Sequence, residues 1–226
     1  MEKVIVFGNG QGAGVNYMIL SHDSPYEVAA FTVDRKYINS DTLFGLPVVA
    51  FEDIESIYPP TDYKMSIFVS YRKLNRVRAE KYEQAKAKGY QLINYISSKA
   101  VIFPDLIIGD NNFIWDSASI GPFTVIGNNV CIGSGSLIGH NSVIKDHCFI
   151  SPHAVILGSS TIEEYCLIGA NATIRDGGVI IARECIIGAG VYIGQNTREK
   201  GVYINPPAEL LSKRSDELRT WLMWGL

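Results

Sequence analysis

The sequence predicts an α/β domain followed by a triangular prism of very short strands. Three observations predict it. Apolar strand-like runs alternate with helix-like runs over residues 1–95. A glycine-rich turn, Gly8-Asn9-Gly10-Gln11-Gly12-Ala13-Gly14, follows the first of those runs. From Ile102 to Ile186 an isoleucine then falls on every sixth position, fifteen times without a gap.

The first domain begins with Lys3-Val4-Ile5-Val6-Phe7, a continuous apolar run of the kind buried on both faces of a parallel sheet. Beyond the glycine turn, Val15 to Leu20 opens a helix. Val28 to Val33 is a second strand ending at Asp34, and Pro47-Val48-Val49 a short third one. Phe51-Glu52-Asp53-Ile54 opens a helix, Ser66 to Ser70 is a strand, Leu74 to Lys88 has helical pattern, and Gln91 to Tyr95 is the last strand. Strands alternating with helices give a small doubly wound parallel sheet.

The period of six fits neither the 3.6 of a helix nor the 2 of an ordinary strand. It fits a chain wound into a prism, six residues per wall, so that every eighteenth residue lies above its predecessor. The isoleucine points inward, and two positions before it stands a small side chain such as Ala118, Thr124, Ser136 or Cys148. Gly, Asn and Asp turn the corners. The register is expected to slip by one after Ile180, with Ile187-Gly188 and Ile193-Gly194 carrying it on. Glu209 to Leu222 closes the chain as a helix.

Composition narrows the function. With 47% hydrophobic residues the chain can bury a core, and a net charge of −3 lacks the basic stripe of a nucleic-acid binder. No apolar run approaches the ~18 residues of a membrane span, and MEKVIVFGNG has no signal-peptide layout, so a cytoplasmic protein without membrane insertion is expected. The four cysteines (131, 148, 166 and 185) lie inside the repeat without CxxC spacing, and Cys148 and Cys166, eighteen apart, should stack inside the prism as packed free thiols. His147 and His153 fall on adjacent walls, away from His140, so no metal is expected.

The glycine turn between a strand and a helix is a phosphate cradle, because small residues let backbone N–H groups approach an anion at the helix N-terminus. Gly8, Gly10, Gln11 and Gly12 would form it, and Asp34 can reach a ribose hydroxyl. The domain is too short for two nucleotide-binding halves, so one nucleotide diphosphate fits. A turn needed only for helix–strand packing is the alternative. Tyr71 and Arg72, at the carboxyl end of a strand, are placed for the base or sugar, and Arg72 equally suits a solvated surface.

Taken together, VIVFGNGQGAG, the GLPVV turn, INYISSKAVI, LIGHNSVIKDHCFISPHAVILG and GVYINPPAELL resemble the NeuD/PglD-type sugar acetyltransferases of bacteria, within the hexapeptide-repeat acyltransferases. The resemblance implies an N-terminal Rossmann-like parallel sheet over 1–95, a left-handed parallel β-helix over 96–205 and a C-terminal helical tail over 206–226. It implies acetyl-CoA as cosubstrate, no metal, a homotrimer with active sites between subunits, and a UDP- or dTDP-linked amino sugar as acceptor. His140 matches the family's catalytic base: an attacking amine or hydroxyl must lose a proton, which a neutral imidazole can take. Gly158, one coil on, matches a glycine whose amide steadies the thioester oxyanion. Asn141 departs from relatives that carry a carboxylate there; it can orient the ring but not compensate its charge, which leaves Asp146 or a neighbouring chain as the acid. Ala170, Gly188, Ala189 and Pro207 would line the pantetheine channel, with Lys213 and Arg214 as phosphate contacts or plain surface charges. His153 would contact the acceptor or the acyl donor, or serve structure. The outward Trp115, Phe123, Phe149 and Tyr165 are apolar for a solvated wall and would meet a second copy, a loop or the first domain. Two alternatives stay open: an O-acetyltransferase acting on a sugar hydroxyl of the sialic-acid type, and a non-catalytic hexapeptide scaffold.

Overall fold

The computed structural model describes residues 1–69, 71–210 and 212. Strands β1 (Glu2–Phe7), β2 (Tyr26–Val33), β4 (Leu46–Ala50) and β5 (Tyr63–Ile67) are parallel, and β3 (Thr42–Leu43) is an antiparallel edge, in the order β3-β4-β2-β1-β5. Val4, Ile5 and Val6 are all fully buried because the sheet is covered on both faces. Val4 and Val6 pack with Ala13 and Leu20 of α1 (Gln11–His22), and Ile5 and Phe7 with Tyr82 and Ala85 of α3 (Arg76–Ala87). The helix expected after Phe51 is a single turn, α2 (Ile54–Ile57). The last expected strand is split. Leu92 makes one bridge to Met65, whereas Tyr95–Ile96 pairs with Phe113–Ile114 in the prism.

From Tyr95 the chain coils through three parallel walls. The first holds Phe113–Ile114, Cys131–Ile132, Phe149–Ile150, Leu167–Ile168 and Ile186–Ile187; the second includes Ser119–Ile120, Leu137–Ile138, Val155–Ile156 and Thr173–Ile174; the third includes Val125–Ile126, Val143–Ile144, Thr161–Ile162 and Ile180–Ile181. Each two-residue strand bonds those eighteen residues before and after it, as in Leu137 opposite Ser119 and Val155. The inward isoleucines and the small residues two positions earlier form one buried core that includes Cys148 and Cys166.

The register slip lies earlier than the sequence suggests. Thr161 pairs with Ile180 and Ile162 with Ile181, so Ile181, not Ile180, points inward. Ile180 is 40% exposed and Ile181 fully buried. The additional residue therefore sits in the turn Asp176-Gly177-Gly178, where both glycines have positive φ, +98° and +83°. Of the tail expected over 206–226, residues 206–210 and 212 are described and form no helix, while Lys213, Arg214 and the rest lie outside the described residues.

The first wall presents its outer face to the α/β domain, and one apolar cluster runs from β1 and α1 through Tyr95 to Phe113 and Cys131. Three of the four outward aromatics are accounted for here: Trp115 packs on Phe68 and Tyr95, Phe149 on Tyr71, and Tyr165 on His147 and Arg76. Polar groups close the contact. Asn111 accepts the Ile67 N–H at 2.9 Å and donates to the Ile67 carbonyl and to Asn129 Oδ1, while Asn129 in turn meets His147 Nδ1 at 2.9 Å. Arg78 of α3 is fully buried, and its Nη2 donates to the carbonyls of Asn129 (2.9 Å) and Cys148 (3.1 Å). At the far end Asp23 accepts from Tyr95 Oη, Ser97 Oγ and the Ser98 N–H.

Two predictions follow from these contacts. Arg78→Ala removes the donor of the Asn129 carbonyl, takes one of two donors from the Cys148 carbonyl and opens a cavity, and is expected to lower stability by about 2–4 kcal/mol in urea unfolding followed by tryptophan fluorescence. Arg78→Met, which fills the space, is expected to lose less. The hydrogen bonds to Asp23, first among them that of Ser98, hold its pKa down from 3.8 to about 2. A depressed folded-state pKa means stabilisation that is present above 3.8 and is lost as pH falls towards about 2. Asp23→Asn should therefore be less stable than the wild type at pH 5–7 and show a flatter stability profile between about pH 4 and 2.

Candidate active site at a prism corner

The corner between the second and third walls carries Pro122, His140, Gly158 and Asp176 at eighteen-residue spacing. The coil-to-coil bonds Gly139 N–H to Ile156 O (2.7 Å) and Ser159 N–H to His140 O (2.7 Å) lock His140 beneath Gly158. His140 is exposed, and its ring lies against the Gly158 backbone. A β-carbon built on Gly158 would stand 2.6 Å from His140 Nε2 and 3.1 Å from Asp176 Oδ1, so the imidazole and the carboxylate flank one backbone position where any larger residue would push the ring aside. Gly158 is buried, and among the described residues its N–H has no acceptor. A buried N–H without a protein partner is a donor that an oxygen from outside the fold can take up.

On its other side the ring opens on a cleft of about 450 Å³, lined by Ser119, Gly121, Pro122, Phe123, Leu137, Ile138, Gly139 and Asn141. Phe123, the one outward aromatic the first domain does not cover, is 68% exposed here. Asn141 Nδ2 lies 3.0 Å from His140 Nδ1. Asp146 is not the partner of His140: it stands at the next corner, where its Oδ1 accepts the Asn128 N–H at 2.7 Å. Two acids share the His140 corner: Asp105, two coils before Asn141, whose carboxylate accepts the Phe123 N–H at 2.6 Å, and Asp176, two coils after His140. The same eighteen-residue rule that pairs His140 with Gly158 reaches Asp176 when applied once more.

The other two histidines of the prism occupy the remaining corners. His147 is buried between Tyr82 and Tyr165, and desolvation lowers its pKa. His153 is exposed and covers Gly135. Its corner also carries Ala170 and, one coil on, Gly188 and Ala189; the Gly190 N–H bonds the Ala170 carbonyl at 2.8 Å. These small residues form one strip, on a different corner from His140. Pro207 is exposed beyond the last strand.

In the α/β domain, the helix α1 begins inside the glycine turn, with Gly10 as an N-cap that supplies no side-chain bond. A cleft of about 560 Å³ opens there, lined by Gly8, Asn9, Gly10, Gly12, Tyr37, Asn39, Phe68, Val69 and Arg72. It lies beyond the carboxyl ends of β1 and β5, where the strand order reverses. Gln11 lines a separate apolar groove on the other side, with Val15, Met18 and Phe44. Asp34 departs from expectation: its carboxylate is 2.5 Å from Lys81 Nζ of α3, in a different depression from the glycine cleft. Tyr71 rests on Phe149. Among the described residues, the glycine cleft and the His140 cleft share no lining residue.

Residues 102–217 match the profile of the GMPPB C-terminal domain. No curated protein matches the chain. Among solved structures, the acetyltransferase domain of PglB from Neisseria gonorrhoeae FA1090 is 22% identical, with a TM-score of 0.77 over 93% of this chain and 100% of that one. A perosamine N-acetyltransferase from Caulobacter crescentus, in complex with CoA and GDP-perosamine, is 21% identical with a TM-score of 0.79 over 93% and 97%. WeeI from Acinetobacter baumannii AYE is 23% identical with a TM-score of 0.69 over 92% and 99%. The likeness is one of fold, and it covers both the sheet and the prism.

The corner geometry predicts that Gly158→Ala displaces the His140 ring, visible as a changed rotamer in a crystal structure of the variant. It should also lower stability by about 1–3 kcal/mol.

Proposed function

The chain belongs to the family of the GMPPB C-terminal domain, and from that premise we propose that it is an acetyl-CoA-dependent N-acetyltransferase acting on a nucleotide-linked amino sugar. The observation that carries the proposal is the His140–Gly158 pair: an exposed imidazole packed against the buried Gly158, whose N–H has no acceptor among the described residues. A base and an oxyanion donor side by side are what acyl transfer from a thioester to an amine requires. The fold shared with acetyltransferases supports the reading, one of them solved with acetyl-CoA and another with CoA and GDP-perosamine.

In this reading the amine nitrogen attacks the thioester carbonyl, the Gly158 N–H receives the developing oxyanion, and His140 takes the proton of the amine. The carbon–sulfur bond then breaks, and the proton passes to the departing thiolate. Asn141 orients the ring. The first sheet acts as a Rossmann-like unit whose Gly8, Asn9, Gly10 and Gly12 hold the nucleotide phosphates at the N-terminus of α1, with Arg72 beside them. Asp34, paired with Lys81, takes no part. Ala170, Gly188, Ala189 and Pro207 serve the pantetheine arm of acetyl-CoA from a second copy of the chain. Their strip and the His140 corner lie on different edges of one prism, as do the glycine and His140 clefts, which favours a homotrimer with sites between subunits.

Three measurements test this. Thiol release from acetyl-CoA with a panel of UDP-, dTDP- and GDP-linked amino sugars should fall about 10²- to 10⁴-fold in His140→Ala with acetyl-CoA binding retained; transfer to sugar hydroxyls alone would replace the N-acetyl reading with the O-acetyl one. Gly10→Asp should fold normally, since no atom lies within 4 Å of a β-carbon there, and its carboxylate would cap α1. It should also lose nucleotide binding by isothermal titration, because that carboxylate occupies the phosphate position. Sedimentation velocity should give a trimer; a monomer with full activity would defeat the shared-site arrangement.

A further inference from the structure

Among the described residues, the one hydrogen bond of the Asp176 carboxylate is local: its Oδ1 accepts the N–H of its own neighbour Gly177, at 2.8 Å, and the residue is exposed. Yet it stands on the His140 column, and across the Gly158 backbone from the imidazole. The chain also departs from its own rule at this point. The turns between Ile102 and Ile174 keep the six-residue spacing, and the first additional residue enters at Asp176-Gly177-Gly178, in left-handed backbone that only glycine adopts without strain. Asp176 itself keeps the eighteen-residue spacing, and the lengthening begins immediately after it, where its carboxylate accepts the Gly177 N–H.

We propose that Asp176 is a specificity-determining residue that selects an amine over a hydroxyl as the acyl acceptor. This rests on the acetyl-transfer reading above. An amino sugar arrives as an ammonium ion, which a carboxylate attracts. After one proton is lost to solvent, the neutral amine still has two N–H bonds. One donates to His140 Nε2, which takes that proton as the nitrogen–carbon bond forms and the carbon–sulfur bond breaks; the other donates to Asp176 Oδ1. A hydroxyl has a single proton, so it satisfies His140 and leaves Asp176 facing an oxygen lone pair. The discrimination is therefore written in the number of donors, not in the size of the pocket.

The test compares wild type with Asp176→Asn on the UDP-, dTDP- and GDP-linked amino sugars and on their hydroxyl counterparts, with acetyl-CoA affinity measured by isothermal titration. The expected result is a fall of about 10- to 100-fold in kcat/KM for the amine, carried largely by the acceptor KM. Acetyl-CoA affinity should change less than about twofold, and transfer to the hydroxyl counterpart should be unchanged or increased. A merely structural role would depress amine and hydroxyl alike, together with acetyl-CoA affinity, and that result overturns the proposal. Amine transfer at wild-type rate in Asp176→Asn overturns the role of Asp176 and leaves the N-acetyl reading standing. Wild-type transfer to hydroxyls alone overturns both.

Discussion

The hydrogen bonds between residues eighteen apart organise everything else in this molecule. Each wall strand is only two residues long, and no such strand is stable alone; it persists because the coil below and the coil above both bond to it. The same bonds make every outward side chain part of a vertical column. Asn111, Asn129 and His147 form one such column, and Pro122, His140, Gly158 and Asp176 another. A column is inherently rigid, because moving one member means breaking the ladder on both sides. Rigidity of that kind suits the proposed site, whose base and oxyanion donor would come from different coils.

The first column does not face solvent. It is the seam on which the α/β domain sits, with Ile67 reading Asn111 through both backbone groups and Arg78 reaching the carbonyls of the next two coils. A buried guanidinium is an expensive way to join two units, and burial lowers its pKa. Its use makes chemical sense at a prism corner, where backbone carbonyls turn outward and need donors. The seam fixes the glycine cleft relative to the first wall and so holds it away from the His140 corner. Separation of the two clefts is thus built into the chain by the column that joins its halves.

The prism was legible in the sequence because its rule is local and strict: isoleucine inward every six residues, a small residue two before it, and eighteen to the next coil. That Gly158 stacks over His140 followed from counting, whereas the roles expected of them came from the family resemblance. The slip at Gly177-Gly178 was misplaced because isoleucines stand at both 180 and 181, so the inward pattern reads equally well in either register; only the pairing with Thr161 and Ile162 separates them. Asp34 misled for another reason. Its distance from the glycine turn suits a ribose contact, but the side chain turns to Lys81, and pairing across helices leaves no trace in strand spacing. Trp115, Phe149 and Tyr165 read as apolar on an outer wall, which periodicity reports faithfully. What covers them is a matter of tertiary packing.

Asn141 gives His140, the proposed base, a neutral neighbour. Its amide nitrogen lies 3.0 Å from His140 Nδ1. In that orientation the amide donates, the neutral ring carries its proton on Nε2, and the nitrogen facing Gly158 is a donor. Turned by half a rotation, the amide presents its oxygen to Nδ1–H, and Nε2 offers a lone pair to the site. Only the second arrangement can receive a proton there, and it also suits the imidazolium, whose Nδ1–H needs an acceptor. A carboxylate at 141 would hold that arrangement permanently and add a negative charge beside the ring. The amide instead leaves the negative charge near the ring to Asp176, across Gly158 from the imidazole, which is where the proposed discrimination of the acceptor would need it.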